Sequence, residues 1–236
     1  MELNLDAVVY GHIGPFALNA TIAFTWIVMA LFVVSARLVT RRLSTGPEVP
    51  RGQILLEALV DGLRNHVREV SQQEPGPFLP FVGTLFLFIA VSNVLAIVPG
   101  WRPPTASLST TTALALAVFV AVPVFGVAEQ GVRGYLRNYV RPSVLMLPFN
   151  VIGEISRTIA LAVRLYGNVM SGTIIVAILI GIVPFVFPIA LRLLGMLTGL
   201  IQAYIFAVLA MVYIAAATRS VTDHARGRTD DTSAAS

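Results

Sequence analysis

The sequence contains no cysteine and no lysine, and it carries little charge of either sign. Its 236 residues include 16 basic and 12 acidic side chains, 12% charged against 56% hydrophobic, with a mean hydropathy of +0.82. Every basic residue is an arginine. Without cysteine there is no disulfide, no thiolate nucleophile, no Cys-ligated zinc and no iron–sulfur cluster. The three histidines, His12, His66 and His224, lie outside every long apolar run, so none is placed to ligate a haem inside a bilayer. A soluble globular domain carries about 25% charged residues. Half that charge cannot cover a water-facing surface, which excludes a soluble enzyme, a disordered chain and a fibre. The net charge of +4 is no nucleic-acid footprint, because most of the arginines flank apolar segments, where basic residues set membrane orientation.

What is there is apolar runs. A membrane-spanning helix needs about 20 such residues, and spans are expected over about 16–39, 78–98, 108–127, 144–183 and 184–217. The first stops at Arg37, Arg41 and Arg42; its charge lies on the wrong end, and its length is too great, for a cleavable leader. With basic flanks inside, the N-terminus (Glu2, Asp6) lies outside and the C-terminal tail, with Arg219, Arg226 and Arg228, in the cytoplasm. Arg133, Arg137 and Arg141 after the third span agree. Between the first two spans, Leu55, Leu59, Leu63 and Val67 recur at i+4 while Glu57, Asp61, Arg64, Arg68 and Glu69 take other faces, so 52–72 reads as a cytoplasmic-side amphipathic helix, either lying on the membrane surface or docked against a partner helix. The last two runs are too long to cross upright: forty helical residues measure about 60 Å, twice the hydrocarbon thickness. Pro148, Pro184 and Pro188 are candidate breaks. The fold class expected is an all-α integral membrane protein, one domain over 1–218 followed by a polar tail over 219–236.

Charge inside the long runs is where function concentrates. Glu154, Arg157, Arg164 and Arg192 are costly in lipid, an arginine by at least about 2.5–3.5 kcal/mol, so each needs a protein partner, water or a task. On a helix, Arg157, Ala160, Leu161, Arg164, Asn168 and Ser171 share one face. A guanidinium stays protonated, which suits a fixed positive charge and not a proton relay. The bland alternatives are snorkelling or a structural pair of Arg164 with Glu154, and for Arg192 snorkelling is the simpler account. The last run adds Arg192, Gly195, Thr198, Gly199, Gln202 and Phe206; glycines at i, i+4 admit a close neighbour. Gln202 needs hydrogen-bond partners if buried. Arg164 is one candidate, and an amide joining two helices is the plain alternative.

These residues resemble subunit a of the F-type ATP synthase, the static membrane half of a rotary ion motor. Ser156-Arg157-Thr-Ile-Ala-Leu-Ala-Val-Arg164-Leu-Tyr166-Gly167-Asn168-Val-Met-Ser-Gly172 follows the family's S-R-x-L-x-L-x-x-R-L-F-G-N-x-x-x-G segment. Gln202-Ala-Tyr-Ile-Phe206-Ala-Val-Leu209-Ala-Met-Val-Tyr213 follows its terminal-helix pattern, and Leu85-Phe-Leu-Phe-Ile-Ala before Asn93 and Pro99-Gly100 is a third match. The resemblance covers nearly the whole chain. It implies that Arg164 is the family's essential arginine and Gln202 its glutamine neighbour, with Asn168 the motif asparagine. It also implies that the last two segments form a steeply tilted hairpin around a ring of c subunits. Arg164, Gln202 and Asn168 then form the contact surface, with Glu154, Arg157, Ser171 and Thr198 bordering two aqueous half-channels.

Three positions depart from the family pattern: Thr173 where an acidic residue or His is usual, Gly195 where an ionisable group is usual, and Pro104-Thr-Ala-Ser107-Leu-Ser109 without the usual Asp and Asn. The departures look like the divergent N-type branch, for which sodium has been proposed as the ion, and leave H+ or Na+ open. The partners implied are the c-ring, a b-type peripheral stalk subunit, the rest of the complex and the lipid bilayer of a bacterial inner membrane, with no nucleic acid. No cofactor, metal or covalent chemistry is expected of this chain. A self-contained transporter would show internal repeats and midplane acidic sites, and a membrane enzyme would show a nucleophile or a close carboxylate pair; neither pattern is visible.

Overall fold

The computed structural model describes residues 9–13, 16–41, 78–98, 101–140, 146–182 and 187–218, with isolated positions between 54 and 69. A short hairpin comes first, β1 (Val9–Ile13) antiparallel to β2 (Phe16–Asn19), with an irregularity between Val9 and Gly11. Five long helices follow: α1 (Ala20–Thr40), α2 (Leu79–Val94), α3 (Leu108–Val140), α4 (Met146–Ile182) and α5 (Phe187–Thr218). All five are long and apolar enough to cross a membrane. The expected all-α membrane architecture is what they form, and the strand pair is an addition that periodicity did not suggest.

In the region expected to be an amphipathic helix, positions 54, 57–58, 60–62, 64–65 and 68–69 are helical and Val60 alone is partly buried. The stripe of Leu55, Leu59, Leu63 and Val67 lies outside the described residues, as does the tail 219–236.

The third span was expected to end near Val127, but α3 continues to Val140. The continuation is a separate helical piece: Gly131 has φ 71 and ψ 161, a conformation open only to glycine, and the chain turns there. The turn brings the Tyr135 ring back onto Gly126, where a Cβ would lie 2.7 Å from the ring. The side-chain nitrogen of Gln130 then donates to the Ala217 carbonyl (2.8 Å) and the Thr218 carbonyl (2.9 Å). Both are acceptors that the C-terminus of a helix leaves without intrahelical partners. Of the prolines, Pro148 and Pro188 sit in the first turns of α4 and α5, where a missing N–H costs nothing. Pro184 lies outside the described residues.

The core is an apolar layer from four helices: Leu85 and Ile89 of α2, Ala115 and Val118 of α3, Leu161 and Leu165 of α4, and Ala203, Phe206 and Ala210 of α5. The small residues of α5 let its backbone approach its neighbours, the usual means of packing where lipid removes any hydrophobic gain. Phe206, Ile89 and Leu165 are fully enclosed. By contrast α1 is peripheral, burying Thr21 and Val28 while Trp26, Val33 and Leu38 face outward, and it is tied in by the Phe24 ring edge-on to Trp101 at 4.8 Å.

The long hairpin of α4 and α5 is only half embedded. Among the described residues, every buried one of α4 precedes Asn168 and every buried one of α5 follows Thr198. The remaining fourteen residues of α4, from Val169 to Ile182, reach about 21 Å beyond the shared core.

Candidate ion-translocation site

Two polar regions lie at opposite ends of the core, and the geometry follows from two cross-helix contacts. The Asn168 amide of α4 donates to the Thr198 carbonyl of α5 at 3.1 Å, and the Arg157 guanidinium lies 5.4 Å from the centroid of the Tyr213 ring. Moving down α4 from 168 to 157 moves up α5 from 198 to 213, so the two helices are antiparallel. Arg164, one turn from Asn168, is therefore level with Gln202, one turn from Thr198.

The first polar region surrounds Thr198 and Gly199. The Asn93 amide of α2 donates to the Gly199 carbonyl (3.2 Å), and the Thr105 hydroxyl donates to the Asn93 side-chain oxygen (3.3 Å). Thr105 belongs to a 3-10 turn, Pro104–Ala106, whose residues are all buried. The loop between the second and third spans is thus folded into the bundle instead of lying over its end, and it packs on α1, α2, α3 and α4. Ser107 closes it as the N-cap of α3, its hydroxyl oxygen accepting the Ser109 N–H at 3.2 Å. Consecutive carbonyls of α5, Thr198 and Gly199, thereby receive side-chain amides from two different helices. The hydroxyl of Ser92 is fully buried beside this region in sequence and has no hydrogen-bond partner among the described residues.

The second polar region is a cavity of about 270 Å³ between α3, α4 and α5. Glu154 and Arg157 supply its charge, and Asn150, Thr158, Tyr135 and Tyr213 its other polar groups. From Glu154 to Asn168 is about 21 Å along α4. Leu161, Ala162 and Leu165 close the space between, against Phe206, Ala207 and Ala210.

Arg164 stands between the two regions, on the outside. Its side chain is exposed and has no hydrogen-bond or ion-pair partner among the described residues. The surface around it is small: Ser156, Ala160, Gly167 and Ser171 are exposed on the same side of α4, and nothing comes within 4 Å of where a Cβ on Gly167 would be. Gln202 is level with Arg164 but faces inward, 5% exposed, and its amide nitrogen has no acceptor among the described residues. The two do not bond to each other.

The expected face of α4 is therefore divided: Ala160, Arg164 and Ser171 face outward, Arg157 is exposed at the cavity beside Tyr213, Leu161 is buried and Asn168 is turned to α5. The hydroxyls of Ser171, Thr173 and Thr198 donate to carbonyls of their own helices, at Asn168 (3.1 Å), Val169 (2.9 Å) and Gly195 (3.1 Å). Their oxygens keep lone pairs that can accept. Of the glycine pair expected to admit a neighbour, only Gly199 does so, against Asn93, while Gly195 is exposed. Arg192, partly exposed, sits on the part of α5 outside the core.

A family model described as ATP synthase A chain matches residues 22–215, which takes in α2, α3, α4 and all but the last three residues of α5. The chain belongs to the ATP synthase subunit a family. The chain is 57% identical over 219 residues to ATP synthase subunit a 2 of Acaryochloris marina, covering 93% of this chain and 94% of that one. It is 55% identical to ATP synthase subunit a of Albidiferax ferrireducens (93% and 95% covered) and 55% identical to ATP synthase subunit a 1 of Chlorobaculum parvum (93% and 97%). It is accordingly a multi-pass membrane protein with the part of subunit a in an ATP synthase.

Sequence reasoning named Asn93 only as part of a family match, with no role, and did not single out Thr105, Asn150, Tyr135 or Gln130. Asn93 carried a signal, as the one amide in the second span, whereas Gln130 is indistinguishable from a solvated residue beside Glu129 until the fold shows it under the end of α5.

Proposed function

We propose that this subunit a is the stator that couples ion flow to rotation of a c-ring, with Arg164 as the fixed charge facing the ring's carboxylates. One observation carries the reading: Arg164 is exposed and without a partner among the described residues, level with the apolar layer, while polar regions lie above and below it. An arginine unpaired in lipid is costly, so its exposed face needs a partner that supplies negative charge.

The physics of that partner follows. A ring carboxylate that has lost its cation is costly in lipid and tolerable beside a guanidinium, which favours the ionised form. A cation is released as the carboxylate arrives, and reloading takes place only from the second aqueous path. Separation of the two paths is essential, and Leu161, Leu165 and Phe206 fill the space between them. Glu154 and Arg157 border one path, in the 270 Å³ cavity. Thr198, Asn168 and Ser171 border the other. Gln202 lies behind Arg164, where its amide is available to either. A cation moving through 100 mV yields about 2.3 kcal/mol per charge, so several are needed for each ATP.

In this reading the N-terminus lies outside and the C-terminus in the cytoplasm of a bacterial inner membrane, so the cavity at Glu154 opens inward. A c-ring packs against the exposed face of α4, a b-type stalk subunit holds the chain static, and the ion is H+ or Na+. The test is ATP-driven ion uptake by the reconstituted complex beside its Arg164→Ala variant. Loss of uptake with the complex assembled is expected; uptake at the unchanged rate would mean that Arg164 is only a structural charge.

A further inference from the structure

The polar cavity holds a second arginine with an arrangement of its own. Arg157 lies two helical turns from Arg164 along α4, about 10.5 Å, and shares the cavity with Glu154. Its guanidinium lies 5.4 Å from the ring centroid of Tyr213, which reaches across from α5 and lines the same cavity. A cation over an aromatic face is held by the ring's quadrupole, without the directional needs of a hydrogen bond. The wall thus carries a site for the guanidinium that does not use the Glu154 carboxylate. A free guanidinium in a cavity of 270 Å³ would either repel a passing cation or compete for that carboxylate.

We propose that Tyr213 is a positioning residue for ion flow: its ring holds Arg157 against the α5 wall and keeps the cavity beside Glu154 open to cations. The proposal rests on the reading that this cavity is one of the two ion paths. It requires the aromatic face and not the hydroxyl, and it requires Arg157. Tyr213→Phe keeps the face. Tyr213→Leu removes it while leaving a side chain of similar bulk in the wall.

The experiment measures ATP-driven ion uptake by the reconstituted complex, with retention of the c-ring on purification as the check on assembly. Tyr213→Phe should retain most of the flux and Tyr213→Leu should lower it by about two- to five-fold, the range of one cation–π contact at an exposed arginine. In an Arg157→Gln background, which sets its own baseline, Tyr213→Leu should bring no further loss. Phe as damaging as Leu, no loss with Leu, or the same loss in both backgrounds would each overturn the proposal. If Tyr213→Leu does not assemble, stepwise fluorination of phenylalanine at 213 weakens the ring's face without changing its shape; flux should fall with each fluorine, and a flat series overturns the proposal. Arg164→Ala run in parallel separates the two readings. Undiminished uptake there removes the ion-path reading itself, whereas its loss together with an inert Tyr213 removes only the role given to Tyr213.

Discussion

The amide of Asn93 lies directly on Gly199, donating to its carbonyl at 3.2 Å, with the Asn93 Cγ 2.8 Å from where a Cβ on residue 199 would be. The hydrogen bond and the absent side chain are one device: the amide reaches the α5 backbone only because nothing projects from it. The Thr105 hydroxyl holds the other end of the same amide, so the loop before α3, α2 and α5 meet at one residue.

Gly199→Ala is accordingly an overpacking change that also displaces a hydrogen bond. A loss of about 1–3 kcal/mol is expected, seen as a lower midpoint for thermal or denaturant unfolding in detergent. Gly195→Ala, four residues earlier at an exposed position with nothing within 4 Å, is the matched control and should change little. Equal effects at the two sites would show that Asn93 yields freely.

Asn168→Leu removes the amide bonded to the Thr198 carbonyl. Side-chain hydrogen bonds between membrane helices average about 0.6 kcal/mol, and that carbonyl still accepts within its own helix. Stability should fall by about that amount while ion uptake falls much further, because the lost group borders a proposed ion path. A variant equally impaired in both would make Asn168 a simple fastener, and the comparison needs only an unfolding curve beside a flux assay.

Gln202→Leu should divide the same two readouts in the other direction. The amide nitrogen is buried without an acceptor among the described residues, a condition that costs about 1–3 kcal/mol, and an apolar side chain of similar size removes that cost. The purified subunit should be as stable as the parent or more so, with transport by the complex reduced. A clearly destabilised Leu variant would show that the amide is satisfied in the assembled protein.

At the far end, Gln130→Leu deletes two bonds to the last carbonyls of α5 and should loosen that terminus by about 1–3 kcal/mol. Gly131→Ala should cost a comparable amount through its backbone conformation alone. Hydrogen exchange near Ala217 is the measurement: both changes should speed it there while leaving amides around Phe206 protected.

Helix existence was legible because it depends on local properties. Runs such as Leu79–Ile97 and Ile189–Thr218 are apolar along their whole length, and only a helix satisfies every backbone group within lipid. The end of the third span was not legible. Glu129, Arg133 and Arg137 mark where the apolar run stops, but the helix depends on a glycine turn at 131 and on an aromatic ring meeting Gly126, contacts between positions nine apart.

A membrane protein of five apolar helices, without cysteine and with an arginine embedded in a recognisable segment of α4, is legible from the chain alone. These follow from composition, run length and the cost of a charge in lipid, which hold wherever the neighbours are. Which way each polar side chain faces came instead from the packing of the helices. Arg164 and Gln202 are level and yet point apart, outward and inward, and the loop around Thr105 is core instead of surface. A helix offers every residue a direction at 100° steps, but which directions meet protein is set by how α2, α3, α4 and α5 pack, and that arrangement is a property of all four helices together.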